Sequence, residues 1–486
     1  MSTPTAPSDS ASSPAAALAN NRWPVQSLFI LGNEAAERFS YYGMKGILAI
    51  YITTVLMKTQ DEATNIIHLF GFANYFMPLL GAWVSDRYWG RYHTILWISL
   101  SYCVGHGVLA CSDMLATTDG KVICLYIGLA LIAFGSGGIK PCVAAFMGDQ
   151  FKPEQKHLLQ KAYAAFYFAI NFGSTAAFLI VPWVRDAGGY GWAFGVPGIA
   201  MGIATVIFYI GTPYYTRVPP ASKSKTAGFF KVVWFAIQGG SKRTTGQGFW
   251  DATRQRFSDA EVDAARSVLP ILSVFALVPI FWSLFDQTFS TWILQGAKME
   301  PYLLGTYKVG PEQMLAANPI LVMIFVPIMT LGVYPLLGRF ASPLKRMSYG
   351  MFLSALSFVI VALIQVKLDS GVKLSVMWQI VPYIVLTMAE VLVSTTGLEF
   401  AFREAAPSMK STIMGFWNLT IALGNLFVSV ITKIAAGVLG GGKAGDVSIS
   451  PTMFYFYAGL TFVIAILFSV VAAFYKYRDA SAAQGK

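Results

Sequence analysis

The chain has 486 residues, 55% of them hydrophobic and only 12% charged, and its mean hydropathy is +0.57. That balance excludes a soluble multidomain enzyme and describes a polytopic membrane protein. The net charge of +11 then calls for a topological explanation before a nucleic-acid one.

Residues 1–22 are rich in Ser, Thr, Ala and Pro, with no basic start and no sustained apolar core. They read as a disordered cytoplasmic tail and not as a secretory signal. Apolar stretches long enough to span a bilayer follow at 27–57, 66–85, 93–111, 122–147, 160–183 and 192–212. A polar, basic stretch at 216–267 comes next, and its one apolar run, Val232 to Ile237, is too short to cross. Six more stretches lie at 268–296, 317–338, 348–366, 376–402, 410–438 and 451–475. The expected fold is all-α, with twelve transmembrane helices in two six-helix halves, 23–215 and 268–476, and a second tail at 477–486.

Placing the N-terminus inside puts the excess of Lys and Arg in cytoplasmic loops, as membrane topology favours. Both termini are then cytoplasmic, and the basic linker can lie on anionic lipid. Pro78-Leu-Leu-Gly81 ends the second span and Pro335-Leu-Leu-Gly338 the eighth. A repeat at equivalent places in two parallel halves is the layout of the major facilitator type, in which rocking halves expose a central site to alternate sides.

Cys103, Cys111, Cys124 and Cys142 show no paired-ligand spacing, although Cys111 and Cys124 flank one short loop. His68, His93, His106 and His157 make no metal spacing either, and no Gly-x-Ser-x-Gly elbow is present. An enzyme and a bound metal are therefore not expected.

The stretch Asn33 to Gly43 carries the strongest signal. Glu34, Glu37, Arg38, Tyr41, Tyr42 and Lys45 recur at steps of three and four, forming one polar stripe on an otherwise apolar helix. A charge at bilayer depth costs about 2.5 to 3.5 kcal/mol on insertion scales, and such residues face cavities or partners. Two carboxylates beside one arginine leave a carboxylate to be met by a partner, a proton or a substrate.

Four further polar residues lie within spans. Lys140 sits in Gly135-Ser-Gly-Gly-Ile-Lys-Pro141, where small residues permit close helix approach. Asn171 either bonds a neighbouring helix or meets a substrate. Asp286 and Glu390 have no cation within one turn of their own helices. Arg38 and Lys140 thus come from the first half and Asp286 and Glu390 from the second, which outlines a proton-coupled carrier of a molecule bearing both charges. Tyr41, Tyr42, Tyr75, Trp282 and Trp417 are candidate linings of its cavity.

Glu34-Ala-Ala-Glu-Arg-Phe-Ser-Tyr-Tyr-Gly43 resembles the ExxERFxYYG signature of the proton-dependent oligopeptide transporter family, within the major facilitator superfamily. Gly81 to Arg91, Gly137-Gly-Ile-Lys-Pro141, Phe166 to Gly173 and Phe281 to Gln287 agree in the same order. The resemblance implies import of di- and tripeptides, and of peptide-like drugs, with the proton as coupling ion and no cofactor. No nucleic acid and no obligate protein partner is implied. By resemblance, Glu34, Glu37, Arg38, His68 and Asp286 handle protons. Arg38 pairs with Asp286, and Lys140 with Glu390, in gating salt bridges. Arg38 and Lys140 meet the peptide carboxylate, Glu390 its amino group, and Asn171 and Asn318 its backbone. The five aromatic residues and Ser394 line the pocket, and Asp86, Arg87 and Arg91 form a conformational loop.

Two departures stand out. Thr395 replaces the proline usual in the tenth span, so the helix is expected to be less bent beside Glu390. The linker also lacks the two extra spans of many bacterial members. Asp286 and His68, which lies 13 residues before Gly81, resemble the animal branch. The loop Lys367 to Lys373 leaves no room for that branch's extracellular domain, so a bacterial inner membrane is expected. A carrier of nitrate, another small anion or a drug is the alternative.

Overall fold

The computed structural model describes residues 23–220, 228–238, 248–303, 307–439 and 447–477. The tails at 1–22 and 477–486 lie outside them, apart from residue 477. The described chain is helical except for a small antiparallel ribbon that pairs Tyr302–Leu303 with Tyr307–Lys308.

Among the described residues, eight helices are long and apolar enough to cross a membrane, or nine with one bent pair. Two of them, Gln60–Met114 and Pro153–Ile210, run to 55 and 58 residues. At 1.5 Å per residue each would measure more than about 80 Å, against a hydrocarbon core of about 30 Å. Each is two crossings divided at a glycine with positive φ, Gly90 (φ 69°) and Gly189 (φ 81°), where other residues would be strained. Val25–Thr54 is a 30-residue helix carrying the polar stripe, whose four charges keep it below any hydropathy threshold. Counted this way, the helices are consistent with twelve crossings in two halves.

Around a largely apolar core, many large apolar side chains are exposed while several ionisable ones are buried. Leu331 is 79% exposed and Phe474 81%, while Glu37 and Lys45 are each 1% exposed. Apolar side chains face lipid and the ionisable ones face the interior, because a charge in hydrocarbon has no partner.

Three local features differ from expectation. The seventh helix begins at Asp259, not 268, because Ser258 caps it: its hydroxyl accepts from the Glu261 N–H while the Glu261 carboxylate accepts from the Ser258 N–H at 2.9 Å. The apolar run in the linker forms a helix, Phe229–Gln238, with Phe229 packed edge-on against Phe416 at 5.4 Å. Ten residues span about half a bilayer, so this helix docks on the second half without crossing. In the tenth span the helix does not run on regularly past Glu390. A widened π turn, Val391–Thr395, follows it, and Thr395 Oγ1 donates to the Val391 carbonyl at 2.6 Å. A hydroxyl bonded back to its own helix distorts the backbone without a proline.

Candidate functional site

The two ends of the bundle differ. At one end lie the linker helix and the turn Ser85–Trp89; it is called here the linker face, and the opposite end the far face. A cavity of about 840 Å³ runs from Lys140 in the fourth span to the linker face. Pro78 and Ala145 of the first half, Phe230 of the linker, and Phe402 and Asn418 of the second half all line it. The halves are therefore parted at the linker face and joined at the far face.

The stripe folds as its spacing requires. Glu34, Glu37 and Arg38 are buried, and Arg38 Nε lies 3.1 Å from Glu34 Oε1. The guanidinium also holds Glu37 in a close ion pair, and Ser136 Oγ donates to Glu37 Oε1 at 3.3 Å. Arg38 thus satisfies both carboxylates on its own helix. Tyr41, one turn on, receives a hydrogen bond from Asn74 Nδ2 at 3.1 Å, and Tyr42 stacks on Phe289 of the seventh span at 6.0 Å.

Lys140 is the group left over. Among the described residues its ammonium has no hydrogen-bond partner, and it stands 4.0 Å from the Tyr75 ring centroid and 5.0 Å from that of Tyr41. Cation–π contact is worth about 0.5 to 2 kcal/mol, far less than the several kcal/mol needed to take an ion out of water. Facing the cavity, this cation is arranged for an anion. Glu390 is the complement: Asn318 Nδ2 donates to it at 2.7 Å and also to Thr387 Oγ1 at 3.1 Å, and no described cation pairs with it.

Asp286 corrects the expected pairing. Its partner is Lys45, with Nζ 3.1 Å from Oδ1, and not Arg38. Asn425 Nδ2 donates to Asp286 Oδ2 at 2.6 Å. His68 stands next in the chain, Nδ1 2.9 Å from Asn425 Oδ1 and Nε2 2.8 Å from Ser290 Oγ. Because the Asn425 carbonyl oxygen only accepts, Nδ1 of His68 is the protonated nitrogen in this arrangement. The seventh span supplies Asp286 and Ser290 by breaking: a tight turn, Asp286–Phe289, leads to Ser290 at φ −129°, ψ −88°. The Lys140–Glu390 pair is likewise not among the ion pairs of the described residues.

The other expected residues disperse. Asn171 donates to the Tyr167 carbonyl of its own helix at 2.8 Å and bonds no neighbour. Trp282 and Trp417 meet edge to face at 6.1 Å, and the Trp282 indole N–H has no partner among the described residues. Ser394 lies in the widened turn of the tenth span. At the linker face Asp86 and Arg87 are exposed, while Arg91 grips Asp149 at 2.5 and 2.6 Å. The four cysteines are free.

Several residues that close the far face gave little sequence signal. Asp61 accepts from the Ser448 N–H at 2.7 Å, Ser429 donates to Asn65 at 2.5 Å, and Arg185 forms a close ion pair with Glu312. Only Asn425 could have been found earlier, as a lone amide in Thr420 to Val430.

Comparison with known proteins agrees with this architecture. The family described as "PTR2: POT family" matches residues 92–439. The human protein "Solute carrier family 15 member 2" is 37% identical over 375 residues, covering 73% of this chain and 51% of that one. "Peptide transporter 3" of Caenorhabditis elegans is 37% identical over 365 residues, covering 72% and 52%. The chain spans about half the length of the curated relatives it matches. Among solved structures, an auto-inhibited POT family peptide transporter superposes with a TM-score of 0.85 at 38% identity, covering 94% of this chain and 98% of that one. The POT family transporter PepTSo gives 0.85 and 38%, covering 94% and 99%.

Proposed function

The chain belongs to the POT family, and from that premise we propose that it is a proton-coupled symporter importing di- and tripeptides by alternating access. It does so across a bacterial inner membrane with both termini cytoplasmic. The linker face is then the cytoplasmic face, and the conformation described is inward-facing. The observations that carry this reading are the ammonium of Lys140, which lines the cavity and has no hydrogen-bond partner among the described residues, and the buried Glu390 of the second half, which is bonded to Asn318 and paired with no described cation. A molecule with a carboxylate at one end and an ammonium at the other satisfies both groups.

In this mechanism Lys140, with Arg38, receives the peptide carboxylate and Glu390 the amino group. Asn171 and Asn318 hold the backbone, while Tyr41, Tyr42, Tyr75, Trp282, Trp417 and Ser394 line the chamber. Peptide-like drugs with the same two charges fit the same description. Glu37 and Glu34 accept the coupling proton, since protonation frees Arg38 from one of its two carboxylates. His68 and Asp286 respond to protons at the far face, where the Lys45–Asp286 pair holds the halves together. When that face opens, the linker face closes and Lys140 meets Glu390. Asp86, Arg87 and Arg91 form the turn about which this occurs.

The test is uptake of labelled dialanine into liposomes holding the purified protein, with and without an inward proton gradient. Accumulation that depends on the gradient and is blocked by unlabelled dipeptide supports the reading. Nitrate blocking as well as dipeptide does, or no dipeptide uptake in a preparation that exchanges another solute, overturns it in favour of a small-anion or drug carrier.

A further inference from the structure

A second cavity, of about 810 Å³, lies outside the transport chamber where the third span begins and the sixth ends. Its walls include Trp89, His93 and Trp97 on one side and Arg217 to Pro220 on the other. Arg217 is held in place: its guanidinium stacks 4.1 Å from the Tyr92 ring centroid, and one N–H donates to the Thr212 carbonyl at 3.2 Å. Among the described residues, no other hydrogen bond or ion pair engages the remaining donors of its five-donor fork, and no acidic side chain lines the cavity.

The geometry points to a site for one anionic phospholipid, its phosphate on Arg217 and its acyl chains along the third span. Depth supplies the first reason. Trp97 lies seven residues into the helix that starts at Gly90, about 10 Å further toward the bilayer centre, so the cavity runs from a cationic mouth to an apolar floor. Continuity supplies the second. Trp97, Leu100 and Val104 share one helical face and are 56%, 45% and 57% exposed, so the floor leads into the lipid-facing surface. A polar peptide would leave its backbone unmet along that face, whereas a phospholipid matches it at both ends. Exposed Trp and Tyr at this level are the side chains that sit among headgroups. The site rests on the proposed orientation only in placing the lipid in the cytoplasmic leaflet.

The experiment is photo-crosslinking in phosphatidylcholine liposomes doped with photoactivatable phosphatidylglycerol, compared with photoactivatable phosphatidylcholine, the labelled peptides being mapped by mass spectrometry. Phosphatidylglycerol is expected to concentrate on residues 88–104 and 217–220, and phosphatidylcholine is not. Arg217→Gln should lower that labelling about fivefold, the worth of one basic side chain at an anionic surface, and Arg217→Lys should retain most of it. Equal labelling by the two lipids in the unaltered protein overturns the site whether or not the variants fold, as does labelling unchanged in Arg217→Gln. Failure here leaves dialanine uptake untouched, so the two proposals fail separately.

Discussion

Lys45→Gln offers the sharpest test of the far-face closure. Lys45 and Asp286 are 1% and 4% exposed, and removing the ammonium leaves the carboxylate with Asn425 as its one remaining side-chain donor among the described residues. Breaking one side of a buried ion pair costs about 3 to 5 kcal/mol. That cost falls on the conformation in which the face is closed, since water reaches Asp286 once it opens. At 1.4 kcal/mol per decade the balance should move toward the far-open state by roughly two to three and a half orders of magnitude. Spin labels at Met57 and Val372, on the far-face ends of the two halves, with the native cysteines replaced, report the separation. The expected result is a longer distance in Lys45→Gln. A return toward the short distance is expected in Lys45→Met with Asp286→Leu, which removes both charges. An unchanged distance in a folded Lys45→Gln protein would refute the assignment of this pair as a latch.

Glu37→Gln should abolish gradient-driven peptide uptake while leaving peptide exchange across the membrane; loss of both would place Glu37 in binding or folding. Lys140→Ala should weaken free dipeptides at least tenfold more than C-terminally amidated ones in competition assays, and equal losses would remove Lys140 from the carboxylate site. Arg185→Gln removes the cation paired with buried Glu312 across the far face, so the 57–372 distance should lengthen; an unchanged distance would show that this pair does not help hold that face closed. Gly81→Ala should lower the thermal midpoint, because its Cβ would fall 2.1 Å from the Gly138 carbonyl oxygen. Separating those helices costs about 1 to 3 kcal/mol, and an unchanged midpoint would show that the spans are not in contact there.

Much of this protein was decided by its sequence. Long apolar stretches leave helices as the available spanning form, because backbone groups in hydrocarbon must be satisfied within the segment. Charges inside those stretches announce themselves by their cost, which is why Glu34, Glu37, Arg38, Lys140, Asp286 and Glu390 could be singled out. Partners were another matter. Arg38 and Lys45 lie seven residues apart on one face of one helix, about 10.5 Å along its axis, and either could have been read as the cation for Asp286. The choice depends on the height at which the seventh span breaks, and on Asn425 and His68 arriving from two other helices. Sequence spacing fixes which residues share a face of one helix, but not the rotation and depth of that helix against another. For the same reason Thr395 gave no warning of a widened turn, and Arg185 and Glu312, 127 residues apart on two different helical segments, gave none of an ion pair. Those were decided when the two halves closed on each other at the far face and parted at the linker face.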